Sequence, residues 1–281
     1  MSTFINKQNH ISTFVGHRKW PRTRFLPSTF RLSTFGLLLT FNFSLIIFHC
    51  GLDVEDATPP LPPVWVQKSL PEEWPERGID AHESGGIFLE WISDNQTNLF
   101  ALDLYRAEED ELTGSLSKFS LINRISVESL TSSNFIDYTA QANILYYYKM
   151  KTVDNSGNVS VFSDSVNYLL FPQLYTDTLT PNGSSIPLSH DRKLMWGYPY
   201  RIAMEYYCIT ILNMEEDLIL RQLILPENYT NYEETWLIPQ IVELENDNVY
   251  KWRVEIGSNY FYGKGSAGSE STWATFRYLG S

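Results

Sequence analysis

The chain has 281 residues, which is enough for two domains of ordinary size that each bury a core without disulfides or metals. Its formal net charge is -12, and because the six lysines and arginines of residues 1–49 are accompanied by no carboxylate, the remainder carries -18. This acidity disfavours binding to nucleic acid, and a 15% content of aromatic residues with short Val, Ile, Thr, Tyr and Phe runs predicts an all-β protein.

The first distinct segment along the chain is the uncharged apolar run FGLLLTFNFSLIIF at 35–48. Its 14 residues match the hydrophobic region of a signal peptide. They fall short of the roughly 20 residues that a membrane-spanning helix requires. We therefore predict that residues 1–49 are a signal peptide, with a retained N-terminal anchor as the alternative. Both interpretations place the rest of the chain outside the cytoplasm.

A cysteine, Cys50, follows this run after a single histidine. Its position resembles the lipobox of bacterial lipoproteins, although the sequence has Phe48 and His49 where that family prefers small residues. The resemblance implies that Cys50 is lipidated. It also implies a bacterial cell-envelope protein that is extracytoplasmic and anchored at the outer membrane or the cell surface. The alternative is a chance cysteine at the end of a short membrane anchor.

An acidic, proline-rich stretch links this region to the remainder of the chain. Residues 50–63 include the sequence GLDVEDATPPLPP, which offers few side chains for a core. Proline-rich segments of this kind adopt extended, partly polyproline conformations. We predict that this segment is a tether that holds the following domains away from a membrane.

Residues 64–172 carry short runs with period-two alternation, which predict the strands of a first β-sandwich. The most regular run is NILYYYKMKTVDNSGNVSVFSD, in which Tyr146, Tyr148 and Met150 fall on one face of a strand. A glycine-containing turn at 154–158 then leads into a last strand.

The turn sequence VDNSGN at 153–158 resembles the corresponding turn of bacterial fibronectin type III domains. Two more landmarks of that family are present, namely Trp91 in an early strand and the sequence LYR at 104–106. The resemblance implies a structural role for Tyr146, the tyrosine corner, whose hydroxyl bonds to backbone upstream and closes one end of the sandwich.

Residues 173–281 repeat this organisation, opening on the loop sequence LTPNGSSIP. The strand-like runs are YYCITIL, DLILRQLIL and VYKWRVEI, and the last of these resembles a late strand of bacterial fibronectin type III domains. Trp91 precedes Tyr148 by 57 residues and Trp196 precedes Trp252 by 56, so similar landmarks recur at similar distances. We predict two tandem fibronectin type III or immunoglobulin-like β-sandwiches.

A search for catalytic patterns finds none in the sequence. The five histidines are scattered without zinc-like spacing, and no phosphate-binding glycine loop or nucleophile elbow is present. The turn DNSGN differs from a calcium loop because its glycine comes too early and the terminal glutamate is missing. We predict no catalytic residue, no metal and no cofactor, and hence no enzyme.

Aromatic residues of the second domain are the candidates for ligand contact. Aromatic rings in loops stack on sugar rings or on protein surfaces. The candidates for such stacking are Trp196, Tyr198, Tyr200, Tyr260, Phe261 and Tyr262.

These features predict a non-catalytic, membrane-tethered cell-envelope lipoprotein whose sandwiches act as spacers or protein-interaction modules. Its expected partners are the membrane, through the N-terminal lipid or anchor, and an unknown protein or glycan. The alternative is a glycan-binding surface protein that uses the aromatic residues of the second domain.

Overall fold

The structure is a computed structural model that describes residues 58–68, 77–92, 98–126, 133–198, 204–226, 233–258 and 265–280. The predicted signal peptide, Cys50, Tyr200 and the loop aromatics Tyr260, Phe261 and Tyr262 lie outside these residues. Within them, the regular structure consists of strands and one short 3-10 turn at Thr176–Thr178. None of the helical structure in these ranges is long and apolar enough to cross a membrane.

The first sandwich consists of two antiparallel sheets. One sheet contains β1 (Val64–Trp65), β2 (Ile79–His82), β3 (Gly86–Ile92) and β6 (Asn134–Asp137). The facing sheet contains β4 (Leu99–Glu108), β5 (Ser120–Ser126), β7 (Leu145–Asp154) and β8 (Val166–Leu170). The strand β3 pairs with β1, β2 and β6, while β4 and β7 form the centre of the second sheet.

Alternation along the strands builds the core of this sandwich, since successive side chains point to opposite faces of a sheet. On β7, Tyr146, Tyr148 and Met150 are buried. Lys149 and Lys151, which alternate with them, are partly exposed. The inward side chains pack with Trp91 and other residues of the facing sheet into one hydrophobic cluster.

The second sandwich is built in the same way. Its smaller sheet pairs β9 (Lys193–Gly197) with β12 (Glu233–Leu237). Its larger sheet contains β10 (Tyr206–Asn213), β11 (Leu218–Ile224), β13 (Val249–Ser258), β14 (Ser266–Glu270) and β15 (Ala274–Arg277). The last two strands pair in turn with β13. The predicted all-β fold class is confirmed in the described residues, and each half of them forms a β-sandwich.

The larger sheets of the two sandwiches join into one continuous sheet. The strand β8 of the first sandwich pairs in parallel with β14 of the second, giving the order β11-β10-β13-β14-β8-β7-β4-β5. The hydrophobic cluster of the first sandwich includes Leu170, and that of the second includes the next residue, Phe171. As a result, Asp53–Ser281 forms one compact unit, although the sequence pattern indicated only a tandem pair.

Candidate functional site

Tyr146 makes the kind of contact that the sequence resemblance implies. Its hydroxyl accepts a hydrogen bond of 3.1 Å from the backbone N–H of Gln141, five residues upstream. The Arg106 guanidinium lies 4.5 Å from the centre of the Tyr146 ring. Tyr146 therefore connects the loop before β7 to the hydrophobic core, since its ring is buried there and its hydroxyl binds the loop backbone.

Tyr250 makes the equivalent contact in the second sandwich. Its hydroxyl accepts a hydrogen bond of 2.8 Å from the backbone N–H of Glu245, again five residues upstream. Tyr250 is buried and its ring stacks on Phe276. The sequence analysis missed this second tyrosine corner, although the signal was present, because Tyr250 precedes Trp252 as Tyr146 precedes Tyr148.

The prediction that Trp196 and Tyr198 are exposed for ligand stacking is wrong. Both belong to the core of the second sandwich and are only 2% and 3% exposed. The Trp196 ring packs edge-on against Tyr207 at 5.2 Å, and the Tyr198 hydroxyl donates a hydrogen bond of 3.1 Å to the Pro172 carbonyl. The alternation on β9 turns Trp196 inward, which the short sequence run did not reveal.

A shallow depression beside these two residues has a volume of about 410 Å³. Trp196 and Tyr198 contribute to its wall, together with Asp177, Thr178, Thr180, Met195, Gly197 and Glu233. Since the rings of Trp196 and Tyr198 face the core, this depression does not offer the stacking platform that a sugar-binding site needs.

A buried cluster of charged side chains lies where the two sandwiches meet. The Lys68 ammonium pairs with the Asp80 carboxylate of the first sandwich and lies 3.4 Å from Glu255 of the second. The other oxygen of Glu255 accepts a hydrogen bond of 2.9 Å from Arg221, whose guanidinium also donates to Thr210 at 2.7 Å. Lys68 thus bridges two carboxylates that come from different sandwiches.

Two buried tyrosines complete the cluster. The Tyr206 hydroxyl donates to Glu255 at 3.3 Å, and the Tyr168 hydroxyl donates to Asp80 at 3.4 Å while accepting from the backbone N–H of Ala81 at 3.0 Å. Burial is the main cause that raises the pKa of both phenols, and the nearby carboxylates raise it further. Both hydroxyls therefore remain protonated donors across the physiological range of pH.

The environment shifts the titration of both members of the Lys68–Asp80 pair. Burial and then the charge of Glu255 raise the pKa of Asp80 from 3.8 to about 6, against the opposing effect of Lys68. Burial lowers the pKa of Lys68, but the two carboxylates outweigh it and the net shift is upward. Lys68 is consequently charged at neutral pH, and Asp80 is ionised there at an energetic cost.

A second ion pair, between a buried arginine and a partly exposed glutamate, crosses the same junction. Arg253 on β13 lies 2.8 Å from Glu270 of its own sandwich and 3.1 Å from Glu83, in the turn between β2 and β3 of the first sandwich. The backbone carbonyl of Glu83 also accepts a hydrogen bond of 2.6 Å from Gln173. This turn is therefore attached to the second sandwich through its side chain and its backbone.

The charged groups at the junction have a structural role, because they stabilise one arrangement of the two sandwiches. Its carboxylates Asp80 and Glu255 are matched by Lys68 and Arg221, so the ionised cluster is neutral, and each carboxylate oxygen has a donor. Paired buried charges of this kind fix one arrangement, because breaking a pair leaves an uncompensated charge in a low-dielectric site. In the described residues, no group of three or more His, Cys, Asp or Glu side chains is placed to hold a metal ion.

A second carboxylate inside the first sandwich, Asp137, has an equally structural setting. It accepts hydrogen bonds from Arg106 at 2.7 Å, from the Thr139 hydroxyl at 2.6 Å and from Tyr148 at 2.9 Å. Burial raises the pKa of Asp137, but these donors outweigh it and the net shift is downward. Asp137 is therefore ionised and saturated with donors, which does not suit a general base.

Comparison with known proteins identifies no family for this chain. No protein-family model and no curated protein matches the chain. One similar solved structure is the chicken CNTN1 FN1-FN3 domains, with 12% identity, coverage of 79% of this chain and 69% of that one, and a TM-score of 0.33. Another, described as a myokine, has 12% identity, covers 39% of this chain and 96% of that one, and has a TM-score of 0.29. At these values, the strand pairing above remains the basis for the fold.

Proposed function

We propose that this chain is a non-catalytic, extracytoplasmic lipoprotein of the bacterial cell envelope that is tethered by Cys50. Its two sandwiches act together as a spacer and protein-interaction module. The observation that carries this proposal is the junction, where a shared sheet and ion pairs make one unit of two domains. A spacer needs this property, since a flexible joint would not hold a binding surface at a fixed distance from a membrane.

Support for the non-catalytic part comes from the ionisable groups themselves. Asp80, Glu255 and Asp137 are held by donors in the interior of the described chain. Two depressions of about 410 Å³ each are formed by described residues, one beside Trp196 and one beside Phe135 and Asp137, and both are open to solvent. Active sites of enzymes usually lie in enclosed, concave pockets, and neither of these two depressions is enclosed.

The membrane address is tested by intact mass spectrometry of the protein from the membrane fraction, with Cys50→Ser as the comparison. A mature chain that begins at an acylated Cys50, together with loss of the acyl mass in the variant, is the expected result. A full-length unmodified chain in the membrane would contradict lipidation and favour the retained anchor.

The interaction role is tested by placing a photo-crosslinking amino acid at exposed positions around both sandwiches of the full chain in cells. We expect protein adducts at a contiguous group of positions, because a specific interface occupies one patch of surface. Adducts at no position would count against an interaction module and leave only the spacer role.

A further inference from the structure

Five side chains form what we call the lysine–phenylalanine face. Tyr105 lies on β4 and Lys149 and Lys151 lie on β7, while Phe119 precedes β5 and Phe162 follows β7. Phe162 is 39% exposed, and Tyr105 packs edge-on against it at 5.0 Å between ring centres. The Lys151 ammonium lies 4.3 Å from the centre of the Phe162 ring, and that of Lys149 lies 4.8 Å from the centre of Phe119 and 5.8 Å from that of Phe162. Cation–π attraction therefore holds two ammonium groups beside one exposed ring.

The second sandwich contains the same construction. Lys251 and Arg253 on β13 lie 4.7 and 4.9 Å from the ring of Trp273. In both sandwiches, two cations that are two residues apart on the long central strand lie beside one aromatic ring from a later part of the chain, Phe162 or Trp273. The position of the two cations relative to the tyrosine corner differs by two residues between the sandwiches. Lys149 lies three residues after Tyr146, whereas Lys251 lies one residue after Tyr250.

The two faces differ in their carboxylates. In the second sandwich, Lys251 pairs with Glu216. Arg253 pairs with Glu270 of the same sandwich at 2.8 Å and with Glu83 at 3.1 Å, which the first sandwich presents on a tight turn. Among the described residues of the first sandwich, by contrast, no carboxylate pairs with either Lys149 or Lys151. One face of this type is therefore already occupied by an acidic turn from another sandwich, whereas the other is open.

The carboxylate that lies opposite Lys151 in the pairing of β4 with β7 does not neutralise the open face. Asp103 on β4 lies opposite Lys151 on β7, but both of its oxygens accept hydrogen bonds from Arg124, at 2.6 and 2.7 Å. Within the described residues, the two lysines thus have no carboxylate partner, although residues 50–281 carry a formal net charge of -18. Positive groups on an acidic protein attract acidic partners and set their orientation.

We propose that the lysine–phenylalanine face is the docking surface of the interaction module for an acidic protein segment, such as a carboxylate-bearing turn. This inference rests on the proposed function and names its surface and its class of partner. Exposed Leu121 and Val161, the latter 73% exposed, supply apolar contacts beside the charges. A protein is favoured over a glycan because ammonium groups and Tyr105 already lie against the Phe162 ring that a sugar would need.

The test uses the full-length chain in detergent micelles and a fluorescein-labelled peptide of alternating glutamate and glycine, with a glutamine–glycine peptide as the neutral probe. Fluorescence anisotropy measures both affinities. We expect Lys149→Gln combined with Lys151→Gln to weaken binding of the acidic peptide about tenfold, since two ion pairs are lost. The matched control, Arg77→Gln combined with Lys193→Gln, removes the same charge elsewhere and is expected to change affinity less than about twofold. Equal losses in both variants, or none, would overturn the inference.

A second experiment separates this inference from the proposed function. A photo-crosslinker replaces Val161 beside the face or Ile241, an exposed residue of the second sandwich, in cells. An adduct at 161 that forms with an acidic protein, including a second copy of this chain, and is lost in the double glutamine variant supports the inference. Adducts at other positions alone overturn it and leave the interaction module intact. An adduct at 161 with an anionic polysaccharide also overturns it.

Discussion

At the scale of single residues, one tyrosine in each half of the chain makes the same hydrogen bond to the backbone. The hydroxyls of Tyr146 and Tyr250 each accept a backbone N–H from five residues upstream, and both rings are buried. A hydroxyl in this position satisfies a backbone donor that would otherwise be left in a partly buried loop. The tyrosine ring fills the core and its hydroxyl fixes the loop at the same time.

Replacing Tyr146 with phenylalanine isolates the hydrogen bond from the packing of the ring. We expect Tyr146→Phe to lower the free energy of unfolding by about 1 kcal/mol, because the N–H of Gln141 loses its acceptor. Urea denaturation measures the change. The control is Tyr175→Phe, whose side chain is exposed and which should alter stability by less than about 0.5 kcal/mol. Equal stability of the two variants would contradict a structural role for the Tyr146 hydroxyl.

Asp80 gives the junction a predictable dependence on pH. Its pKa of about 6 in the folded chain exceeds the usual 3.8, so the folded state binds the proton more tightly than the unfolded state. The contribution of Asp80 to stability is therefore fully present below about pH 4 and is lost as the pH rises through about 6.

The variant Asp80→Asn removes this titration and keeps the shape of the side chain. We expect the free energy of unfolding of Asp80→Asn, relative to that of the unmodified chain, to rise by on the order of 2–3 kcal/mol between pH 4 and pH 7. Urea denaturation at both pH values measures it. A difference that stays constant, or that falls with rising pH, would show that Lys68 dominates and that the pKa of Asp80 is not raised.

At the scale of elements, the parallel pairing of β8 with β14 is the decisive contact of the fold. Close approach at this point depends on glycine. A Cβ on Gly268 would lie 2.5 Å from the Tyr168 hydroxyl and 2.7 Å from the backbone carbonyl of Ile256. The backbone carbonyl belongs to the neighbouring strand and cannot move aside without disturbing the sheet.

Adding one methyl group at this position tests the pairing. We expect Gly268→Ala to destabilise the chain by about 1–3 kcal/mol, since overpacking forces backbone shifts at the junction. Gly280→Ala is the control, because its Cβ would come no closer than 3.3 Å to the Asn246 side chain. Thermal unfolding followed by circular dichroism compares the two. An unchanged melting temperature for Gly268→Ala would mean that β14 does not pack against Tyr168 of β8 and Ile256 of β13 as described.

At the scale of the whole molecule, a shared sheet and two ion-pair contacts, Lys68–Glu255 and Arg253–Glu83, join the sandwiches. Since Asp53–Ser281 is one compact unit, we expect both sandwiches to unfold in one cooperative transition. Independent domains on a flexible linker would instead unfold separately.

The variant Lys68→Met tests this coupling. It removes the cation that Asp80 and Glu255 share, and breaking a buried pair in this way costs about 3–5 kcal/mol. We expect differential scanning calorimetry to show one transition for the unmodified chain and two for Lys68→Met. The control is Lys193→Met, whose contact with Asp191 is long and solvent-exposed and whose loss should leave one transition. Two transitions in the unmodified chain would contradict the coupling.

The sequence predicted the class of fold because alternation and turn chemistry are local properties. The run from Leu145 to Asp154 alternates strictly and lies on β7 as expected. The burial of the candidate site residues was harder to predict from the sequence. Trp196 lies at the end of a run of only a few residues, too short for its alternation to show which face it occupies, and it is in the core.

The sequence indicates an all-β protein of repeated sandwiches, with an acidic body behind a basic, apolar N-terminal segment. These properties depend on composition, periodicity and neighbouring residues. Three features become visible once the chain is folded. Lys68, Asp80 and Glu255 form one cluster, β8 and β14 share a sheet, and no carboxylate among the described residues pairs with Lys149 or Lys151. The physical reason is distance along the chain: Lys68 and Glu255 are 187 residues apart, and no local pattern records which distant charges will meet.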